Sequence, residues 1–252
     1  MSILVVSLSK ISRAFLKNLQ YNDVVDIFSP NSTISGLNCC NVYSQLKLQY
    51  KYVFLGCKPQ HLEDVAENLP KHLYSDKTIF ISVLAGTSTS RIANFFAVQK
   101  VFRVMPSLAF EFGNSYIAGY GCNLTENEND NVIKMFTPNT IIKCVLEEQI
   151  DEFTAMYGSG MGFVFEIMNA FLSASDGMMT KHDKHDIVLN LFENAVQYLK
   201  VTGIKFSDAA DNVASKGGTT EAGLRQLVKN DELINVFRRT MQASVQRAKE
   251  LR

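Results

Sequence analysis

The sequence predicts an α/β protein, with a mainly parallel sheet in its first half and an all-helical second half. Three observations predict this. Short apolar runs alternate with helical stretches from residue 3 to residue 105, the pattern of successive βαβ units. Those runs are continuously apolar, which suits strands covered on both faces. Beyond Lys143-Cys144-Val145 only helical periodicity remains.

ILVVS (3–7) reads as the first buried strand. Ser9 to Leu19 reads as a helix, because Ile11, Phe15 and Leu19 recur every fourth residue on one face. VVDIF (24–28) is the second strand, closed by Ser29-Pro30-Asn31-Ser32, and YVFLGC (52–57) is the next, stopped by Lys58-Pro59. Residues 60–73 have helical spacing, with Pro70 near the end. TIFISVL (78–84) is a strand, Ala85-Gly86-Thr87 turns the chain, and Thr89 or Ser90 caps a helix before the strand VFRVM (101–105). In the second half, residues 148–156, 160–175, 184–202, 206–214, 220–229 and 231–250 read as helices, punctuated by Gly177, Gly203 and Gly217-Gly218. The expected domains are therefore 1–146 and 147–252. The helix from Met161 is apolar nearly all round and calls for a deep core or a subunit interface. A helical domain this narrow points to a partner subunit.

At 252 residues the chain can bury a substantial core. Net charge is zero, which offers nothing to nucleic acid or an anionic membrane. No segment is long and apolar enough to span a bilayer, and the chain opens directly on a strand with no secretory pattern. The five cysteines include no C-x-x-C and read as free thiols of a cytoplasmic protein. His182 and His185, with Asp183 and Asp186, read as a polar helix start, so no metal site is expected.

The first strand runs into VVSLSKISRAF. Strand, tight turn and helix start are what a dinucleotide-binding Rossmann-like domain needs, but Ser7, Ser9 and Ser12 hold the three glycine positions of G-x-G-x-x-G. Those glycines allow the turn, the close approach of pyrophosphate, and helix–strand packing, in that order. The expectation is a surviving fold and a weakened diphosphate site, with the Ser9 side chain facing the pyrophosphate space, Lys10 adding a charge-assisted contact, and the helix N-terminus unaltered.

Further phrases narrow the reading. GCKPQ (56–60), RVMPS (103–107), TAMYGSGMGF (154–163) and ASKGGTTEAGL (214–224) occur in this order, and the chain closes on QRAKEL. Together they resemble pyrroline-5-carboxylate reductase, whose family shows VKPQ, RVMPNTP, TALSGSGPAY and SPGGTTxxGL. The resemblance implies hydride transfer from NAD(P)H to the cyclic imine 1-pyrroline-5-carboxylate, giving proline. It also implies a helical domain forming a homodimer or larger homo-oligomer, with a small-molecule substrate as the other partner. For the cofactor it implies Ser7, Leu8, Ser9, Lys10 and Ile11 in the turn, Ser29 and Asn31 after the second strand, Cys57, Lys58 and Pro59, and Met105, Pro106 and Ser107 beside the nicotinamide. For the substrate it implies Ser159, Lys216, Gly217, Gly218, Thr219 and Thr220, with Thr220 as the catalytic position, its hydroxyl meeting the ring nitrogen.

Two glycines and a helix start read either as a plain helix cap with a glycine turn or as an anion site, through close amides and the helix dipole, and the resemblance favours the site. No acid closes the second strand, and the resemblance places Ser29 at a family position whose hydroxyl meets the 2′-phosphate, so NADP is expected ahead of NAD. Departures from the family pattern are Ser107, Leu108 and Ala109 for Asn-Thr-Pro, Met161-Gly162 for Pro-Ala, and Lys216 for proline. Lys216 reads either as a cation that neutralises an anionic ligand or as a solvated loop lysine. Two rival readings are a non-catalytic homologue with a weakened cofactor site, and a related dehydrogenase for another imine or keto acid.

Overall fold

The computed structural model describes residues 2–19, 24–30, 33–46, 48–112, 115–136, 140–175, 177 and 180–250. Chain packing divides it into two compact units, Met1–Ser159 with Ala243–Arg252, and Gly160–Gln242.

The first unit is built on one sheet of eight strands among the described residues: β1 (Ser2–Val6), β2 (Val24–Phe28), β3 (Asn38–Cys40), β4 (Tyr52–Leu55), β5 (Ile79–Ser82), β6 (Val101–Met105), β7 (Ser115–Cys122) and β8 (Thr140–Cys144). Their order is β3-β2-β1-β4-β5-β6-β7-β8, and every neighbouring pair is parallel except β6–β7. Ile3 and Val5 point into one buried cluster while Leu4 and Val6 point into the other. That two-sided burial is why β1 is apolar throughout.

Helix α1 (Lys10–Asn18) covers the first face, where Phe15 stacks on Phe54 with centroids 4.1 Å apart. The second face carries α2 (Leu62–Asn68) and α3 (Thr89–Phe96). Helix α2 ends well before residue 73, because Pro70 follows its C-cap Leu69. Ser88 caps α3, accepting from the Arg91 amide at 3.2 Å, in place of the expected Thr89 or Ser90. Helix α4 (Glu126–Lys134), with β3, β7 and β8, lies outside the periodic elements read from the sequence.

After β8 come α5 (Ile150–Phe153) and a π turn over Thr154–Gly158, where the sequence predicts one helix. The second unit opens with α6 (Gly160–Ala174), followed by α7 (Lys181–Thr202), α8 (Phe206–Val213) and α9 (Thr219–Leu227). Helix α10 (Glu232–Glu250) closes the described chain. No residue of α6, α8 or α9 is buried within the single chain. Phe165, Phe171, Leu191 and Val213 stand exposed. Among the described residues no helix is long and apolar enough to cross a membrane.

Candidate active site

Strand order reverses at β1: the chain runs outward through β2 and β3, then restarts on the other side with β4. Open α/β sheets place ligands outside the strand ends at such a switch point. A cavity of about 580 Å³ lies there, within the range of small-molecule sites. It is lined by Ser7, Leu8 and Ser9 after β1, Phe28 and Pro30 after β2, Asn41, Val42 and Tyr43 after β3, and Gly56, Cys57 and Lys58 after β4, while His61, Asp64, Val65 and Asn68 close it from α2 and the turn before it.

The three serines meet different fates. Ser7 takes a left-handed conformation, φ +75°, and its amide donates to the Phe28 carbonyl at 2.8 Å. This is the turn that glycine usually supplies, and a Cβ there costs about 1–2 kcal/mol. Ser7→Gly is therefore expected to raise stability by about 1 kcal/mol, after the extra freedom of the unfolded chain is offset. Denaturant unfolding measures it, and an unchanged midpoint would contradict the assigned strain.

Ser9 is extended, φ −72° and ψ 171°, and carries no such strain. Its hydroxyl caps α1, accepting from the Ser12 amide at 3.2 Å and lying 2.9 Å from Ser12 Oγ. The expectation of an unaltered helix N-terminus is thus corrected. Ser9 takes the third amide of α1, leaving those of Lys10 and Ile11 as the first two. Ser12 is fully buried, and its hydroxyl sits over Gly56. A Cβ on Gly56 would fall 1.9 Å from Ser12 Oγ and 3.0 Å from the Ser7 carbonyl. The close helix–strand approach that the third fingerprint glycine normally permits is here permitted by a glycine on the strand side.

The ring of Phe28 stacks on Tyr43 with centroids 3.6 Å apart, so an aromatic pair stands where NAD sites carry an acid. Burial pushes the Cys57 thiol up to about 11, which keeps it neutral and unreactive at neutral pH. Ser7, Leu8, Ser9, Cys57 and Lys58 are brought together around the cavity. Lys10, Ile11, Ser29, Pro59, Met105, Pro106 and Ser107 are not among its lining residues. Ser29 is buried, its amide bonded to the Cys40 carbonyl at 2.9 Å, and Ile11 packs against the core beneath α1. Ser107 is buried with its hydroxyl 3.5 Å from that of Ser115. Asn31 lies outside the described residues.

At the end of the first unit, Ser159 follows the π turn. Its amide donates to the Thr154 carbonyl at 2.8 Å and its hydroxyl accepts from Ser244 Oγ at 3.2 Å. In the second unit, Gly217 has φ +75° and Gly218 is the N-cap of α9. The Gly217 amide donates to Glu221 Oε2 at 2.6 Å. That bond, with Arg225 as a second donor, holds the Glu221 carboxyl below the ordinary carboxylate range. No side chain caps α9, so the amides of Thr219 and Thr220 open the helix. Lys216 is exposed beside them.

The sequence reading missed Phe28, Asn41, Val42, Tyr43 and the α2 wall. The wall had a readable signal: 61, 64, 65 and 68 share one helical face.

Residues 147–251 match the family model described as pyrroline-5-carboxylate reductase dimerisation. A pyrroline-5-carboxylate reductase of Staphylococcus saprophyticus is 30% identical over 203 residues, which cover 79% of this chain and 74% of that protein. This chain belongs to the pyrroline-5-carboxylate reductase family. The fold agrees. A crystal structure of Plasmodium falciparum pyrroline carboxylate reductase with NADP bound matches with TM-score 0.87 at 19% identity, covering 100% of this chain and 98% of that one. A 1-pyrroline-5-carboxylate reductase from Streptococcus pyogenes also matches at TM-score 0.87, with 24% identity over 99% and 98% of the two chains. Like the family's dimerisation domain, the helical part of this reductase-family chain is built for homo-oligomerisation.

Proposed function

We propose that this chain reduces 1-pyrroline-5-carboxylate to proline, with NADPH preferred over NADH, as a cytoplasmic homodimer. Family membership supports the reaction. The observation that supports carrying the reading to this chain's own residues is the cavity at the switch point of the sheet, lined by the Ser7–Ser9 turn and Lys58.

The cavity fits a dinucleotide. The Ser7–Ser9 turn and Lys58 supply donors for a diphosphate. Phe28 and Tyr43 supply a flat apolar wall. NADPH is preferred because no carboxylate ends β2, where NAD sites carry the acid that binds the ribose diol. The bound cofactor's nicotinamide supplies the hydride.

For the substrate, the Thr219 and Thr220 amides and the dipole of α9 take the carboxylate. The hydroxyl of Thr220 accepts a hydrogen bond from the protonated imine nitrogen, which keeps that proton in place and the adjacent carbon electrophilic. A protonated imine needs no further acid, so catalysis here is mainly placement of one ring.

Purified protein with NADPH is expected to oxidise it in proportion to added 1-pyrroline-5-carboxylate, and more slowly with other cyclic imines. Oxidation that ignores that imine would contradict the reading. Thr220→Val should lower kcat by about 10–100-fold, the value of one hydrogen bond of about 1.4–2.7 kcal/mol. NADPH affinity should stay unchanged, and a normal kcat would remove Thr220 from the mechanism.

A further inference from the structure

An arginine stands in the middle of the apolar strand β6. Arg103 is fully buried, and Nη2 lies 3.2 Å from Oδ1 of Asp151, itself 1% exposed. Its Nη1 lies 3.8 Å from Glu147 Oε1. Glu147 in turn accepts from the Thr89 amide at 2.6 Å and the Thr89 hydroxyl at 2.8 Å, at the start of α3. Strand alternation explains the placement. Phe102 and Val104 join the cluster under α1, while Arg103 and Met105 face the other side, where Met105 packs with Ile150 of α5.

The guanidinium therefore joins three chain segments. Two and three residues beyond it are Met105 and Pro106. Three residues beyond Asp151 begins the π turn that carries the chain to Ser159. A buried pair is poor value for stability alone, since well-packed apolar replacements often match it. Such pairs are better suited to fixing geometry than to adding stability.

We propose that Arg103 is a positioning residue for hydride transfer: with Asp151 and Glu147 it fixes the Met105–Ser107 segment and the turn leading to Ser159 in one arrangement. This rests on the reductase reading, in which the first segment adjoins the nicotinamide and Ser159 the substrate. A change of 1 Å in such placement is enough to cost about 100-fold in rate.

The test compares Arg103→Met, the double variant Arg103→Met/Asp151→Leu, and Arg103→Lys in the full chain. The readouts are Tm, NADPH affinity, kcat, KM, and amide hydrogen exchange at 104–107 and 154–159. The single Met variant should lose much of its thermal stability. The double variant should regain most of it, bind NADPH within about threefold of wild type, exchange faster at both segments, and keep kcat down by about 100-fold. Regained stability together with wild-type exchange and kcat would overturn the proposal and leave the pair merely structural. If the double variant does not fold, Arg103→Lys decides. It keeps the charge but not the fork, so kcat should fall about tenfold with NADPH affinity unchanged, and an unchanged kcat would refute the role. If wild type shows no oxidation dependent on pyrroline carboxylate, the reductase reading fails by itself, and hydrogen exchange still decides whether Arg103 orders these segments.

Discussion

Gly56→Ala is expected to weaken NADPH binding at least tenfold and to destabilise the first unit by about 1–3 kcal/mol, the usual cost of overpacking. The new methyl would sit 1.9 Å from Ser12 Oγ and 3.0 Å from the Ser7 carbonyl. Ser12 would have to turn away, breaking the 2.9 Å contact between the two serine hydroxyls, and the turn that faces the cavity would move. Restoring glycine at the third fingerprint position relieves this clash. The double variant Gly56→Ala/Ser12→Gly should therefore bind NADPH more tightly than Gly56→Ala alone, a coupling measurable as a double-mutant cycle. Additive effects would mean that Ser12 and Gly56 do not share one packing site.

Melting temperature should rise with protein concentration, and dilution should unfold residues 160–242 as the oligomer separates. No residue of helices α6, α8 and α9 is fully buried within one chain, and among the described residues Val188 is the buried apolar residue of α7. Exposed Phe165, Phe171 and Leu191 would bring little stability to a lone subunit. Mass action then ties folding to assembly, and each tenfold dilution removes about 1.4 kcal/mol per dimer. Scanning calorimetry over a hundredfold range should show Tm falling by several degrees with dilution. A Tm independent of concentration would mean that the second unit is stable unassisted.

Much of this was legible in the residues. Continuous apolar runs announced the strands near the switch point, because a strand buried on both faces has no polar side to show. The six helices after residue 147 followed from periodicity and glycine punctuation, apart from the π turn before Ser159. Helix α4 was readable too, since Thr125 and Glu128 form a reciprocal capping box at the spacing T-x-x-E. Strand β7 was harder. Gly119 interrupts it because a Cβ there would lie 2.8 Å from Ile142, a requirement set by a neighbouring strand. Of the residues read from the sequence for the cofactor, Ser7, Leu8, Ser9, Cys57 and Lys58 line the cavity, but the bond between Ser9 and Ser12, the notch at Gly56 and the Phe28–Tyr43 stack were not read. Each depends on which strands become neighbours, and local spacing carries no record of that. Nor does it reveal that Glu221 claims the Gly217 amide, leaving Thr219 and Thr220 to open α9.

The central claim is that a turn built from Ser7, Leu8 and Ser9 still accepts a nicotinamide dinucleotide. Fluorescence titration of the purified wild-type protein with NADPH and with NADH tests it most directly. Saturable NADPH binding in the micromolar range, with weaker binding of NADH, is the predicted result. Failure of both to bind at millimolar concentration would contradict it.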